Sequence, residues 1–378
     1  MFDVGHAHEG PFRQSHRQSM RTITDAARRG ASKTLKKLID SKAYLEAIDS
    51  NGCTALMLAA LNGYAVSLQL LLDAKANVNA RDDAGATALW TAAYGGHVHC
   101  MQLLIDANAD VEIRDNGDTT ALMIAALRGH VDCVRLLIDL GVNIDEVNIN
   151  GCTALMASAG DGHSQCLQML IDARADVNVA TSNGETALHR AAVKNQLECV
   201  RRLIAANADI NAEEDGMTPV VQAAFRGHAD CLQLLVDARA DLEIGDNRGC
   251  TPLIWAALNS DVECMRRLIT ANVNIAAVDN TGSTALFFAV ASKDTKCMQL
   301  LIDAKADIAA VNDNGQTVLM IAARCGGQKS LKSVINHILD LAKSPGARSR
   351  SEASPSQPDS ESSSEHSLER RKRKRIGQ

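Results

Sequence analysis

Seven cysteines recur at nearly constant spacing along the chain: Cys100, Cys133, Cys166, Cys199, Cys231, Cys264 and Cys297. Regularly placed thiols are the raw material of a metal site or a redox relay. Four histidines, His97, His130, His163 and His228, keep the same step. An imidazole does acid–base work only where it converges with a nucleophile or a carboxylate. A ladder does the reverse, because it spreads identical groups along an axis. Whether these residues do chemistry therefore depends on the elements that place them.

The step belongs to a larger unit. A threonine opening T-[AP]-L, or a close variant, stands at Thr54, Thr87, Thr120, Thr153, Thr186, Thr218, Thr251, Thr284 and Thr317, 33 residues apart at every step but one of 32. Around each lie a glycine two residues earlier (three before Thr120), an alanine-rich segment, often Gly-His, and an L-[LI]-[ILV]-D-A-like run closing on A-D-[VI]-N or similar. Nine full units result. Ala26, Ala27, Gly30, Leu35, Leu38 and Ile39 sit 33 residues before Ala59, Ala60, Gly63, Leu68, Leu71 and Leu72, so a tenth, half-formed unit starts near residue 21.

Each unit reads as turn, helix, turn, helix. The threonine offers a side-chain oxygen to the open N–H groups of a first helical turn, and Pro219 and Pro252 occupy the first helical position, where a missing N–H costs nothing. The first helix is short and small-sided, as in T-A-L-M-L-A-A, and lets its neighbours approach closely. The second carries Leu and Ile at helical spacing, as in Leu103, Leu104 and Ile105 with Cys100 one turn earlier. Clusters such as Asp246 to Gly249 and Asn312 to Gly315 supply hairpin turns between units.

These elements set the chemistry of the ladders. Stacked helices lie ~8–10 Å apart, whereas a disulfide needs Cα atoms within about 7 Å and zinc needs sulfurs at about 2.3 Å. The cysteine ladder therefore reads as small apolar core side chains. The histidines read as capping hydrogen bonds of the turn between the two helices. Cys53, Cys152 and Cys250, just before the repeat threonine, are expected to be more exposed, with no cysteine partner in the same or an adjacent unit.

The pattern resembles the ankyrin repeat, whose signature is a 33-residue unit with T-P-L-H, Gly-His and a closing A-D-V-N. The resemblance covers residues 21 to about 343 in nine in-phase copies. It implies an all-α repeat solenoid, an L-shaped stack of helix-turn-helix units with β-hairpin-type loops. Hairpin tips and first helices would line a concave face, with protein binding as the common role.

Three departures from the family pattern matter. The histidine of T-P-L-H survives only as His189; Met57, Trp90, Met123, Met156, Val221, Ile254, Phe287 and Met320 replace it elsewhere, exchanging polar contacts between repeats for apolar packing. The glycine closing the second helix is kept only as Gly141. Asn108, Asn207 and Asn272 tolerate the left-handed conformation required there, while Lys75, Arg174, Arg239 and Lys305 should each cost about 1 kcal/mol. Finally, the 32-residue step shortens the tip at 213–216, and Gly117 with Asp118 shifts the preceding hairpin glycine by one, so both tips should look different from the rest.

Residues that break the repeat say more about function than residues that keep it. Positions four, seven and eight after each threonine share one side of the first helix. There Phe225, Trp255, Leu258 and Phe288 gather three of the chain's ten aromatic residues, with Tyr94 and Leu127 in matching places earlier. Arg128, Arg190, Lys194 and Arg226 occupy the middle of the same face, interrupted by Asp161. Aromatic and arginine anchors are what interface hot spots favour. The face is expected to take a segment with apolar anchors at one end and acidic residues toward the other, and alanine at Phe225, Trp255 and Phe288 should weaken its capture.

Composition narrows the class. Aromatics are only 3 % of the chain, so the core must be built from small and aliphatic side chains. No apolar run reaches the ~18–20 residues of a membrane span and the N-terminus lacks an apolar signal region, so neither membrane nor secretory route is expected. The 11 cysteines contain no C-x-x-C pair and read as reduced thiols of an intracellular protein. Net charge is −6, but the two ends are basic and the body between residues 21 and 344 holds 28 basic against 38 acidic residues. A body that acidic does not suit nucleic acid, which calls for a basic stripe.

The domain reading is a disordered segment at 1–20, the array at 21–343 and a disordered Ser-rich tail at 344–378. The tail ends in Arg370, Arg371, Lys372, Arg373, Lys374 and Arg375, a nuclear-import signal, a phosphate-binding patch or a solvated end. Its serines are compatible with phosphorylation. With no Gly-rich phosphate loop, metal-spaced cluster or nucleophile elbow, the sequence reads as a monomeric, non-catalytic interaction scaffold or adaptor in nucleus or cytoplasm, needing no cofactor. The alternative is a regulatory inhibitor masking a basic surface or localisation signal of its partner.

Overall fold

The computed structural model describes residues 23–325 together with Lys332 and Ile335. The chain divides into two units, Met1–Leu331 and Lys332–Gln378, and the repeats belong to the first. Of the second, Lys332 and Ile335 are helical and exposed. The expected terminal segments, 1–20 and 344–378, lie outside the described residues.

The repeat grammar becomes helix pairs. First helices run Ala55–Leu61, Ala88–Gly95, Ala121–Arg128, Ala154–Gly160, Ala187–Val193, Pro219–Arg226, Pro252–Leu258, Ala285–Ala291 and Val318–Arg324. Second helices run Ser32–Asp40, Ala65–Asp73, Val98–Asp106, Val131–Asp139, Ser164–Asp172, Leu197–Ala205, Ala229–Asp237, Val262–Thr270 and Thr295–Asp303. Residues 23–28 are also helical, so the unit expected to be half-formed has both its helices. First helices pack on first helices of the neighbouring repeats, and second on second. Extended pairing among the described residues consists of isolated bridges such as Ile48 with Thr54 and Val278 with Thr284.

Each first helix starts where its threonine stops the turn. Thr87 and Thr120, for example, hold extended backbone and accept the N–H of Trp90 and Met123. Eight of the nine repeat threonines cap in this way; Thr284 does not, and its hydroxyl is buried with no partner among the described residues. Paired alanines such as Ala92 and Ala93, or Ala125 and Ala126, are fully buried between adjacent first helices. Only a methyl-sized side chain allows that approach. The second helices bury Met101 and Leu104, Val134 and Leu137, Leu167 and Leu170, and their equivalents.

Two tips bear on the expected irregularities. An ordinary tip is a three-residue loop: Asp82 N–H donates to Ala86 O and Gly85 N–H to Asp82 O, with Gly85 left-handed at φ 81°. The Asp115 tip makes the same two bonds, and Asp118 itself takes φ 57°. It is therefore not irregular as expected; the aspartate accepts the left-handed position because its short polar side chain tolerates it, and Gly117 has no special role. The 32-residue step does change the tip. Glu214 and Met217 exchange two hydrogen bonds across Asp215 and Gly216, whose φ values are 47° and 79°. Positive φ at both central residues is the type I′ turn, so losing one residue replaces a three-residue loop with a two-residue hairpin.

Candidate functional site

The two ladders come first, because they would be the chemistry if there were any. All seven ladder cysteines are at most 1 % exposed. Burial pushes the thiols of Cys133, Cys166 and Cys199 up to about 11 and that of Cys231 to about 12. Cys264 and Cys297 are raised further by burial and by the capping carboxylates of Asp261 and Asp294. None holds thiolate near neutrality. The corresponding place in the Thr54 repeat is Ser67, also buried, and its hydroxyl finds no partner among the described residues. The slot is apolar. Cys152 and Cys250, expected to be exposed, are instead buried at 8 % and 3 %, and Cys53 alone of the three is half-buried. Over Cys152 lies Arg190 of the next repeat, within hydrogen-bond distance of its sulfur. Among the described residues no group of three or more His, Cys, Asp or Glu side chains is arranged to hold a metal.

The histidines reach across repeats. Nε2 of His97, His130 and His228 lies 3.1, 3.0 and 3.1 Å from the carbonyl oxygens of Leu61, Tyr94 and Val193, each near the end of the preceding repeat's first helix. They cap that helix and not their own, which receives no side-chain bond from them. Glycine is required opposite. A Cβ on Gly129, at φ 74°, would stand 2.4 Å from the His163 ring. The Gly-His pair is thus one joint of the stack.

His189 is wholly buried. Its Nδ1 accepts from Thr186, and its Nε2 lies 3.0 Å from Met217 O, the arrangement of a neutral ring. Burial lowers its pKa below the ordinary 6.5. Its contribution to stability is therefore present above that pH and is lost as pH falls below it.

The non-repeating face is built differently. Trp90 stacks on Tyr94 at 5.7 Å, and Arg128 lies over the Tyr94 ring at 4.3 Å while donating to its hydroxyl at 3.1 Å. Phe225 meets Trp255 edge-on at 4.6 Å; Arg226 covers the Phe225 ring at 5.2 Å and Arg248 the Trp255 ring at 4.7 Å. Two clefts run beside these clusters. One, of about 450 Å³, lies among Trp90, Asp115, Leu127, Asn150, Cys152 and Arg190. The other, of about 490 Å³, lies among Asp215, Phe225, Asn247, Arg248 and Trp255. In the first, Arg190 is tied to Glu185 at 2.8 Å and to Cys152 Sγ at 2.7 Å.

Of the residues singled out from sequence, Leu127, Arg128, Lys194 and Arg226 are exposed, and Tyr94, Arg190, Phe225, Leu258 and Phe288 half-buried. Trp255 departs from the expectation. At 8 % exposure it forms the floor of its cleft, covered by Phe225 and Arg248, and cannot project as an anchor. Of the ten, Leu127 and Arg190 line the first cleft and Phe225 and Trp255 the second, while Tyr94, Arg128, Lys194, Arg226, Leu258 and Phe288 line neither. Trp90 and Arg248 were missed, Trp90 because its position three after the threonine was assigned to packing. Arg248 stands three before its threonine, on a tip where other repeats carry Asn, Ala, Gly, Asp or Thr. Searching tips as well as helices for departures from the repeat would have found it. The basic run Arg370, Arg371, Lys372, Arg373, Lys374 and Arg375 lies outside the described residues.

A family model described as ankyrin repeats matches the chain at residues 14–82, 68–148, 122–214, 212–279 and 261–344. Among solved structures, the ankyrin repeat domain of human ASB11 superposes with a TM-score of 0.53 at 26 % identity, covering 57 % of this chain and 98 % of that one. Comparison with curated proteins gives no match.

Proposed function

The chain belongs to the ankyrin-repeat family, and from that premise we propose that it is a non-catalytic scaffold or adaptor whose first-helix face holds a segment of a protein partner. Ankyrin arrays are generally protein–protein interaction modules. The observation that carries the reading is the concentration of rings, guanidinium groups and two open clefts on one face, where the repeat is otherwise monotonous. Supporting it, burial keeps the ladder thiols in the protonated form, and Nε2 of three of the ladder imidazoles is engaged with a carbonyl of the preceding repeat, both roles of a scaffold.

A variant that strips this face tests the reading. Truncating Trp255 would open a cavity and cost about 3–5 kcal/mol, so the variant is Phe225→Ala, Leu258→Ala and Phe288→Ala, all less buried. Affinity purification with the intact chain and with this variant should show partner capture falling at least tenfold while circular dichroism is unchanged. Undiminished capture would place the binding surface elsewhere.

The alternative, masking of a basic surface, is favoured by the exposed aspartates that close the second helices: Asp73, Asp106, Asp139, Asp172, Asp237 and Asp303. These lie off the first-helix face, where Arg128, Arg190, Lys194 and Arg226 outnumber Asp161. Salt-sensitive binding of basic peptides to the array, surviving the triple substitution, would support it.

A further inference from the structure

The eighth position after the repeat threonine reads, in successive repeats, Arg128, Asp161, Lys194, Arg226 and Asn259. The first four side chains are exposed, and among the described residues none of them forms an ion pair. Arg128 and Arg226 are held in place by the rings beneath them. Free charges on a packed scaffold, in fixed order, constitute a code. Its period follows from packing: neighbouring helices stand ~8–10 Å apart and an extended chain advances ~3.3 Å per residue, so one repeat corresponds to about three ligand residues.

We propose that this face recognises an extended acidic segment by charge register, a deepening that rests on the protein-binding reading above. The segment places acidic side chains opposite Arg128, Lys194 and Arg226. A basic or neutral residue stands opposite Asp161, and an apolar side chain enters the cleft beside Phe225 and Arg248. Successive positions are about three residues apart. The occupant is argued from charge complementarity: three unpaired cations against one acid, on a body whose net charge is negative. Asp161 separates this segment from a merely polyanionic one. A carboxylate opposite Asp161 meets a like charge, so a uniform acidic run fits worse than the interrupted pattern although it is more negative.

The test uses the full chain and fluorescein-labelled 13-residue peptides in anisotropy titrations at low salt. The matched peptide has glutamate at places one, seven and ten, lysine at place four and phenylalanine at place thirteen, the rest being Ala, Ser and Thr; it is made in both chain directions. In one direction it should bind at least tenfold tighter than a scramble of the same composition and tighter than a peptide with glutamate at place four. Lys194→Glu should abolish the preference, and lysine at place seven should restore it. Equal binding of matched and scrambled peptides, both lost in the Phe225, Leu258 and Phe288 alanine variant, would overturn the register and leave the face as the binding surface. Binding of matched and scrambled peptides alike that the alanine variant does not affect would overturn both readings. No measurable binding of the matched peptide in either direction would overturn the register, while capture of the natural partner decides the binding reading separately.

Discussion

At the scale of single residues, the backbone demands more than the side chains supply. The residue closing each described second helix is left-handed: Lys42, Lys75, Asn108, Gly141, Arg174, Asn207, Arg239, Asn272 and Lys305 have φ between 58° and 74°. At Arg174 the bonds Ala175 N–H to Leu170 O and Arg174 N–H to Ile171 O, each 2.9 Å, complete a Schellman motif. An arginine there crowds its own Cβ, at a cost of about 1 kcal/mol. Arg174→Gly should raise the melting temperature by roughly 1–3 °C, since the side chain is exposed and only strain is removed; calorimetry showing no rise would mean the backbone had relaxed elsewhere. This strain was legible from spacing alone, because the repeat fixes which residue follows the helix.

Among elements, the tips differ most from sequence expectation. The missing residue before Thr218 was legible as a shortened tip. Its replacement by a type I′ turn was not, because the turn type depends on two hydrogen bonds closing between Glu214 and Met217. Gly216 is held at φ 79°, and a Cβ there would sit 2.3 Å from Asn247 Oδ1 of the next tip. Gly216→Ala should therefore cost about 1–3 kcal/mol by strain and contact together. Asp215→Asn should be neutral or slightly stabilising, because Asn-Gly is the favoured pair for this turn. Urea titration of both variants distinguishes them; equal losses would mean that the tip tolerates either conformation.

For the molecule as a whole, repeats that touch only their neighbours make stability a sum of local terms. The cysteine ladder offers a built-in probe, with one deeply buried thiol in each of seven successive repeats. In sub-denaturing urea, alkylation mapped by mass spectrometry should reach Cys297 before Cys166 and Cys199, because its repeat is next to the last of the array and opens once that last repeat frays, whereas Cys166 and Cys199 lie in the middle. Simultaneous labelling of all seven would show instead that the array unfolds as a single unit.

The sequence by itself determined the family, the 33-residue register, the threonine caps and the core faces, because each of these is a local rule repeated often enough to be unmistakable. It also marked most of the non-repeating face. Tertiary structure alone decided the rest. It buried Trp255 beneath Phe225 and Arg248, covered Cys152 and Cys250, sent the histidines to the preceding repeat and brought a tip arginine onto a helix tryptophan. Most of those outcomes depend on contacts between residues some 30 to 40 positions apart in adjacent repeats, and the Arg248–Trp255 pair depends on a tip folding back onto the helix that follows it; a periodic sequence looks the same whichever of its neighbours a side chain turns toward.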